Sequence, residues 1–153
     1  MQAGHRIDDH AEIIQKASAR AISGDPEKIG NFIDFLLNIV EGSSQPFVIA
    51  DARGQVKGCN TAYCRLTGYT SDELLSKKCG EDLTPPEWRK RESEVIAAQI
   101  ISKMPAIYKK EYLKKDGSRV PVELYDHIIF DTKGSPLYFY AFVSDLSSLT
   151  IRK

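Results

Sequence analysis

The chain has 153 residues and no net formal charge, because 21 lysine and arginine side chains balance 21 aspartates and glutamates. A chain of this length is expected to form one domain whose core needs neither disulfides nor metal ions. The balanced charge argues against nucleic acid or an anionic membrane as the main partner, since either would require a basic surface.

The cysteine content and the hydropathy pattern indicate the compartment. Cys59, Cys64 and Cys79 form neither an even-numbered framework nor a Cys-x-x-Cys pair, which is typical of a reducing environment. No apolar run reaches about 18 residues, and no basic and apolar leader follows Met1. We therefore expect a cytoplasmic protein that does not enter the membrane.

Two amphipathic helices are predicted before residue 44. Over residues 5–23, apolar and small residues recur at helical spacing until Ser23-Gly24. Asp25-Pro26 then supplies an N-cap carboxylate and a proline for the first turn of a second helix. Its wide apolar stripe consists of Ile29, Phe32, Ile33, Leu36, Ile39 and Val40, with Phe35 and Leu37 on the flanks. Such a helix must pack on another element.

A hairpin and two short helices are predicted next. Residues 47–50 and 55–59 are apolar runs around a four-residue turn that opens with Asp51 and closes with Gly54. Asn60 is a predicted N-cap and Gly68 a left-handed C-cap. Thr70, with a glutamate three residues later, forms a capping box that predicts a helix to about residue 76.

A second capping box, Thr84-Pro85-Pro86-Glu87, predicts the longest helix at about residues 85–103. Met104-Pro105 ends it. The expected inner face of this helix consists of Trp88, Val95, Ile96, Ile100 and Ile101. The expected solvent face consists of Arg89, Lys90, Arg91, Glu92 and Glu94.

Three β-branched and aromatic runs complete the predicted sheet, at residues 107–114, 120–130 and 137–144. They are joined by Asp116-Gly117 and by a turn at 131–134, and with the first hairpin they give five antiparallel strands. Residues 137–143 are apolar on both alternating faces, so both sides of the sheet should be covered at that strand. The predicted fold class is therefore α+β.

Short motifs in a consistent order from residue 51 to residue 147 resemble the PAS family of the bacterial sensory type. They are Asp51-x-x-Gly54, Asn60-x-Ala62, Leu66-Thr67-Gly68-Tyr69, Ser71-Asp72-Glu73-Leu74, Leu83-Thr84-Pro85-Pro86-Glu87, Lys115-Asp116-Gly117-Ser118, Val120-Pro121-Val122-Glu123 and Asp145-Leu146-Ser147. The resemblance implies a five-stranded antiparallel sheet with residues 137–144 at its centre, helices on one face and an N-terminal helical cap. It divides the chain into a cap and dimerisation extension at 1–44, a PAS domain at 45–148 and the start of a linker or tail at 149–153.

The resemblance also implies a sensory or regulatory module for signal transduction. A small molecule would bind in a helix-lined pocket between the long helix and the sheet, and the segment beginning at Asp145 would carry the signal outward. Since only residues 149–153 follow the domain, an output domain is expected in a longer receptor or in a partner protein. The candidate pocket residues are Leu74, Trp88, Val95, Ile96, Gln99, Tyr125 and Phe142.

The second N-terminal helix is expected to cover the free face of the sheet and to build a homodimer. Its contact residues are Phe32, Ile33, Leu36 and Val40. The main alternative to a ligand sensor is a dimerisation and docking module that holds no ligand. Which small molecule or partner would bind is left open.

Other chemistries are less favoured. In flavin photosensors of the family an adduct-forming cysteine lies near the position of Cys79, but the flavin-contacting neighbours are missing around it. The haem sensors need a histidine on the long helix, where this chain has none; its histidines are His5, His10 and His127. Glu111, Glu123, Asp126 and His127 could share a sheet face without any catalytic or metal motif. We therefore expect no enzyme, no metal and no haem.

Overall fold

The computed structural model describes residues 26–148, and every structural statement below concerns that part of the chain. The helix predicted over residues 5–23 lies outside it. The elements in chain order are α1 (Pro26–Glu41), β1 (Phe47–Asp51), β2 (Val56–Cys59), α2 (Thr61–Thr67), α3 (Ser71–Leu74), α4 (Cys79–Asp82), α5 (Pro86–Ser102), β3 (Ala106–Leu113), β4 (Arg119–Phe130) and β5 (Pro136–Asp145).

The strands form one antiparallel sheet in the order β2-β1-β5-β4-β3. The last strand in sequence, β5, is therefore central, as the family resemblance implies. Its side chains alternate between the two faces, so that Ala141 and Val143 enter one core while Tyr140 and Phe142 enter another. The predicted α+β fold with both faces of the central strand covered is confirmed.

One face, here called the inner face, is covered by α2 to α5. The ring of Tyr63 on α2 meets the ring of Tyr112 on β3 edge to face, with centroids 5.7 Å apart. The buried core on this side consists of Val48, Val56, Tyr63, Leu66, Leu74, Leu83, Tyr108, Tyr112, Val120, Val122, Leu124, Ala141 and Val143.

The opposite face, here called the outer face, is covered by α1, as predicted. Phe32 and Leu37 pack at its margin. A β-carbon at Gly58 on β2 would lie 2.4 Å from Cδ1 of Leu37, so the absence of a side chain there lets α1 approach the sheet. The buried core on this side consists of Ile33, Leu36, Val40, Phe47, Ile49, Ile129, Tyr140 and Phe142.

Asn60 is the N-cap of α2, as predicted, and it makes further contacts. Its Oδ1 accepts from the backbone N–H of Tyr63 at 3.1 Å and from that of Phe47 at 2.9 Å. Its Nδ2 donates to the carbonyls of Val40 at 3.0 Å and Gln45 at 2.8 Å. The fully buried amide therefore joins the end of α1, the start of β1 and the start of α2.

The capping boxes have different outcomes. The predicted box at Thr70 is confirmed, although α3 ends at residue 74. The predicted box at Thr84 is wrong, because α5 begins after Pro85 without a side-chain cap. The Thr84 hydroxyl instead donates to the carbonyl of Cys79 at 2.8 Å and accepts from Lys110 Nζ at 2.6 Å. The buried ammonium of Lys110 is a stronger donor to this hydroxyl than the backbone N–H that a capping box would supply.

Replacing Asn60 with alanine should lower the free energy of unfolding by about 3 kcal/mol or more, because a cap is lost and four backbone groups lose their buried partner. Urea denaturation followed by circular dichroism measures this loss. Thr70→Ala removes an exposed N-cap and is the control, with an expected loss of about 1 kcal/mol. Equal losses in the two variants would contradict the role assigned to Asn60.

Candidate functional site

A cavity of about 380 Å³ lies between the inner face of the sheet and the helices α4 and α5. The exposed side chains of Arg53, Glu81 and Arg89 mark its opening. Its apolar lining includes Val48, Ala50, Ile96, Leu124 and Phe139, and its polar lining includes Glu92, Tyr108, Lys110 and Asp126. An apolar cavity of this size with a few convergent polar groups is typical of a small-molecule site.

A buried ion pair forms one polar wall of the cavity. Lys110 lies between Tyr108 and Tyr112 on β3 and is 4% exposed. Its ammonium forms an ion pair with the carboxylate of Glu92 on α5, and it also donates to Thr84. The hydroxyl of Tyr108 donates to Glu92 Oε2 at 3.0 Å. Burial raises the pKa of Tyr108, so this phenol keeps its proton and acts as the donor.

Asp126 on β4 is the third buried charge at the cavity. It alternates with Leu124 toward the inner face and is 6% exposed. Burial, together with repulsion from Glu92, raises its pKa to about 7, and attraction by Lys110 opposes this rise. The backbone carbonyl of Asp126 accepts from Gln99 Nε2 at 2.8 Å, which ties α5 to β4.

Cys79 also lines the cavity, at the start of α4. Burial raises the pKa of its thiol to about 12, so the thiol is protonated at neutral pH. A protonated thiol is a poor nucleophile, and Cys79 therefore contributes shape rather than reactivity to the cavity.

Four of the predicted pocket residues, Ile96, Gln99, Leu74 and Val95, lie on the helical side of the inner face, and the fifth, Trp88, contacts the edge strand β3. Ile96 lines the cavity. Gln99 is buried where α5 contacts β4, Leu74 is fully buried in the inner core, and Val95 packs against that core. Trp88 is half-buried, and its indole donates to a carboxylate of β3, Glu111 Oε1, at 3.0 Å. Trp88 thus fastens the first turn of α5 to the sheet.

The placement of Tyr125 and Phe142 opposite the long helix is wrong. Both side chains lie on the outer face, where they pack with α1. Leu124 and Asp126 point inward on β4, so the residue between them must point outward, and the same alternation holds for Phe142 on β5.

Two residues of α5 also differ from the prediction. Glu92 was assigned to the solvent face and is buried, whereas Ile101 was assigned to the inner face and is 84% exposed. Glu92 is inside because it neutralises Lys110 on the neighbouring strand. A lysine between two inward tyrosines, Tyr108 and Tyr112, was the sequence signal for a buried carboxylate partner.

Asp145, the predicted start of the signal segment, ends β5 and is exposed. Its Oδ1 accepts from the backbone N–H of Ser147 at 2.8 Å and from the Ser147 hydroxyl at 2.6 Å. Asp145 therefore sets the direction in which the chain leaves the sheet.

Within residues 26–148, no helix has the length and apolar character needed to cross a bilayer. In the same residues, no three histidine, cysteine or carboxylate side chains come together as a candidate metal site. The candidate functional site is the cavity between the inner face and the helices α4 and α5, because it combines an apolar lining with buried polar groups.

The PAS fold family matches residues 34–146, and the chain belongs to that family. The voltage-gated inwardly rectifying potassium channel KCNH2 of Sus scrofa is 32% identical over 91 residues, which are 57% of this chain and 8% of the channel. The chain therefore spans less than a tenth of the length of this curated relative.

Solved structures agree on the fold. A PAS domain from a two-component sensor histidine kinase has a TM-score of 0.59 at 19% identity, covering 74% of this chain and 95% of that one. The PAS domain of the fruit-fly ELK potassium channel has a TM-score of 0.61 at 22% identity, covering 76% and 98%. These structures share the PAS fold that the family match assigns to the chain.

Stability should fall as pH rises from about 4 to about 7, because the folded state holds the Asp126 proton more tightly than the unfolded state does. Asp126→Asn should remove that part of the pH dependence and raise the free energy of unfolding at pH 8 by up to about 4 kcal/mol. Urea denaturation of both proteins at pH 5 and pH 8 tests this.

The matched control is Glu81→Gln, which makes the same carboxylate-to-amide change at an exposed position. It should leave the pH dependence of stability as in the unmodified chain. If Asp126→Asn and the unmodified chain lose the same stability between pH 5 and pH 8, Asp126 does not titrate in this range.

Proposed function

We propose that this PAS domain is a sensor that binds a small organic molecule in the cavity beneath α4 and α5. The observation that carries the proposal is a cavity of about 380 Å³ that combines an apolar lining with the buried charges of Glu92, Lys110 and Asp126. Charged side chains are seldom fully buried, and apolar residues of similar volume are often no less stable in their place. Their position at the cavity supports recognition as their role.

In the proposed mechanism, the ligand signal passes through the central strand. Gln99 on α5 binds the backbone of Asp126, which pairs with Ala141 on β5. The neighbours of Ala141, Tyr140 and Phe142, pack with α1 on the outer face. A ligand that shifts α5 relative to β4 would therefore change the packing of α1 and the exit of the chain after β5.

The proposed role is binding rather than catalysis, in the cytoplasm. The free thiols of Cys59, Cys64 and Cys79 suit a reducing compartment. The protonated thiol of Cys79 supplies no activated nucleophile in the cavity. The output of the sensor would lie in a partner protein or in a longer chain.

The purified protein should release a stoichiometric small molecule on denaturation, detected by mass spectrometry, and should show neither a haem Soret band nor bleaching by blue light. Ile96→Trp fills the cavity and should reduce the recovered molecule at least about tenfold. Ile101→Trp makes the same change on the same helix at an exposed position and should leave recovery unchanged. Equal recovery from the two variants, or no recovered molecule at all, would count against the sensor proposal.

A second candidate role is dimerisation through α1. The contact with the sheet buries Ile33, Leu36 and Val40, whereas Phe35 and Ile39 are each 60% exposed. The two exposed side chains lie four residues apart and are neighbours on the helix surface. This apolar surface favours a second copy of the chain as its cover.

The double variant Phe35→Ser/Ile39→Ser should weaken self-association at least about tenfold in sedimentation equilibrium, because both exposed apolar side chains leave the interface. Ile107→Ser, an exposed change on the edge strand β3, is the control and should leave it unaltered. A chain that is already monomeric at high micromolar concentration would refute the dimer.

A further inference from the structure

We propose that the ligand of the cavity is a small organic cation, an amine with an apolar body whose ammonium group pairs with Asp126. This inference rests on the proposed function, because it names the chemical class of the molecule that the cavity would hold. Two observations carry the inference. One is how deeply each charged side chain of the cavity is buried, and the other is which of these side chains already form an ion pair.

Three charged side chains lie deep in the cavity, namely Lys110, Glu92 and Asp126, which are 4%, 9% and 6% exposed. Lys110 pairs with Glu92, and both have further buried hydrogen bonds, to Thr84 and Tyr108 respectively. The deep charges therefore contain one excess carboxylate, and it belongs to Asp126. A buried carboxylate without its own cation is costly, so a ligand that supplies one gains affinity.

The charges at the opening do not replace that cation. They belong to Arg53, Lys78, Glu81 and Arg89, and all but the half-buried Lys78 are exposed. Arg89 is already held by the carbonyls of Thr84 at 3.2 Å and Glu81 at 2.8 Å. Water and salt screen charges at such positions. The Asp126 carboxyl accepts from the backbone N–H of His127, but an anionic ligand held at this opening would leave it without a cation of its own.

The remaining polar groups that face the cavity carry no charge at neutral pH. Burial raises the pKa of Cys79, Tyr108 and Tyr112, so the thiol and both phenols are protonated. They can support a bound ammonium as neutral neighbours but cannot neutralise it. Asp126 is thus the carboxylate available to a cationic ligand.

The apolar lining requires the rest of the ligand to be apolar. Val48, Leu124 and Phe139 extend from the sheet, and Ile96 closes the volume from α5. An aliphatic or aromatic group fits such a lining, and the polar end alone reaches Asp126. The class is therefore a compact amine with an aromatic or branched aliphatic body.

Three probes of nearly equal shape test the inference on the intact chain, namely benzylamine, benzyl alcohol and benzoate. At pH 8, NMR titration should show that benzylamine, which is protonated, binds at least about tenfold more tightly than the other two. At pH 6 this preference should shrink, because Asp126 has a pKa of about 7 and becomes protonated. Asp126→Asn should abolish the preference at pH 8, and Glu94→Gln, the same carboxylate-to-amide change at an exposed position of α5 outside the cavity, should preserve it.

The possible failures are distinct. If binding is lost in Ile96→Trp but does not depend on the charge of the probe or on Asp126, the cavity is a ligand site and the inference about amines is wrong. A preference for benzoate at pH 8 would also overturn it. If no probe binds and no molecule is recovered from the purified protein, the proposed sensor function fails together with the inference.

Discussion

The structure depends first on the four hydrogen bonds of the Asn60 side-chain amide. This amide lies where α1 ends, β1 begins and α2 begins, and it has a partner at each of its four hydrogen-bonding positions. An amide with all its partners in place has one orientation, because rotation would set donors against donors. The helix on the outer face and the first helix on the inner face are therefore fixed to the sheet at one point, and a movement of α1 is coupled to the edge of the inner core.

The ion pair of Lys110 and Glu92 has a different role, since it adds little to stability. Removing two charges from water costs several kcal/mol, and the pair recovers that cost only through its mutual attraction and its bonds to Thr84 and Tyr108. Replacing such a buried ion pair with apolar residues of similar volume often leaves stability unchanged or raises it. The chain keeps a polar wall beside a cavity instead, which supports the proposed role in ligand binding.

The sequence predicted those parts of the fold that follow from local chemistry. Asn60, Gly68 and Thr70 mark helix ends because their own atoms or backbone angles make the caps, and alternation located the strands. Tyr125 and Phe142 are cross-strand partners and share one face, and their placement failed because alternation does not show which face of the sheet the long helix covers. The burial of Glu92 was missed because its partner is on another element, 18 residues away in sequence. Of the predicted pocket only Ile96 lines the cavity, since a cavity is a property of several elements together.

Asp126 joins the cavity to the rest of the structure in both its electrostatics and its hydrogen bonds. Its carboxyl has a pKa of about 7, against an ordinary value of 3.8, and this difference corresponds to at most about 4 kcal/mol of unfavourable energy for the charged form. Coupling free energies between distant sites in proteins are typically roughly 1–3 kcal/mol. The free energy gained when a ligand neutralises the Asp126 carboxylate is therefore large enough to couple the cavity to a distant site. The backbone of Asp126 is bound to α5 on one side and to the central strand on the other. A ligand that neutralises this carboxylate would therefore act where the inner helices meet the strand that contacts α1. A ligand that leaves Asp126 charged and without a cation would not shift the structure in this way.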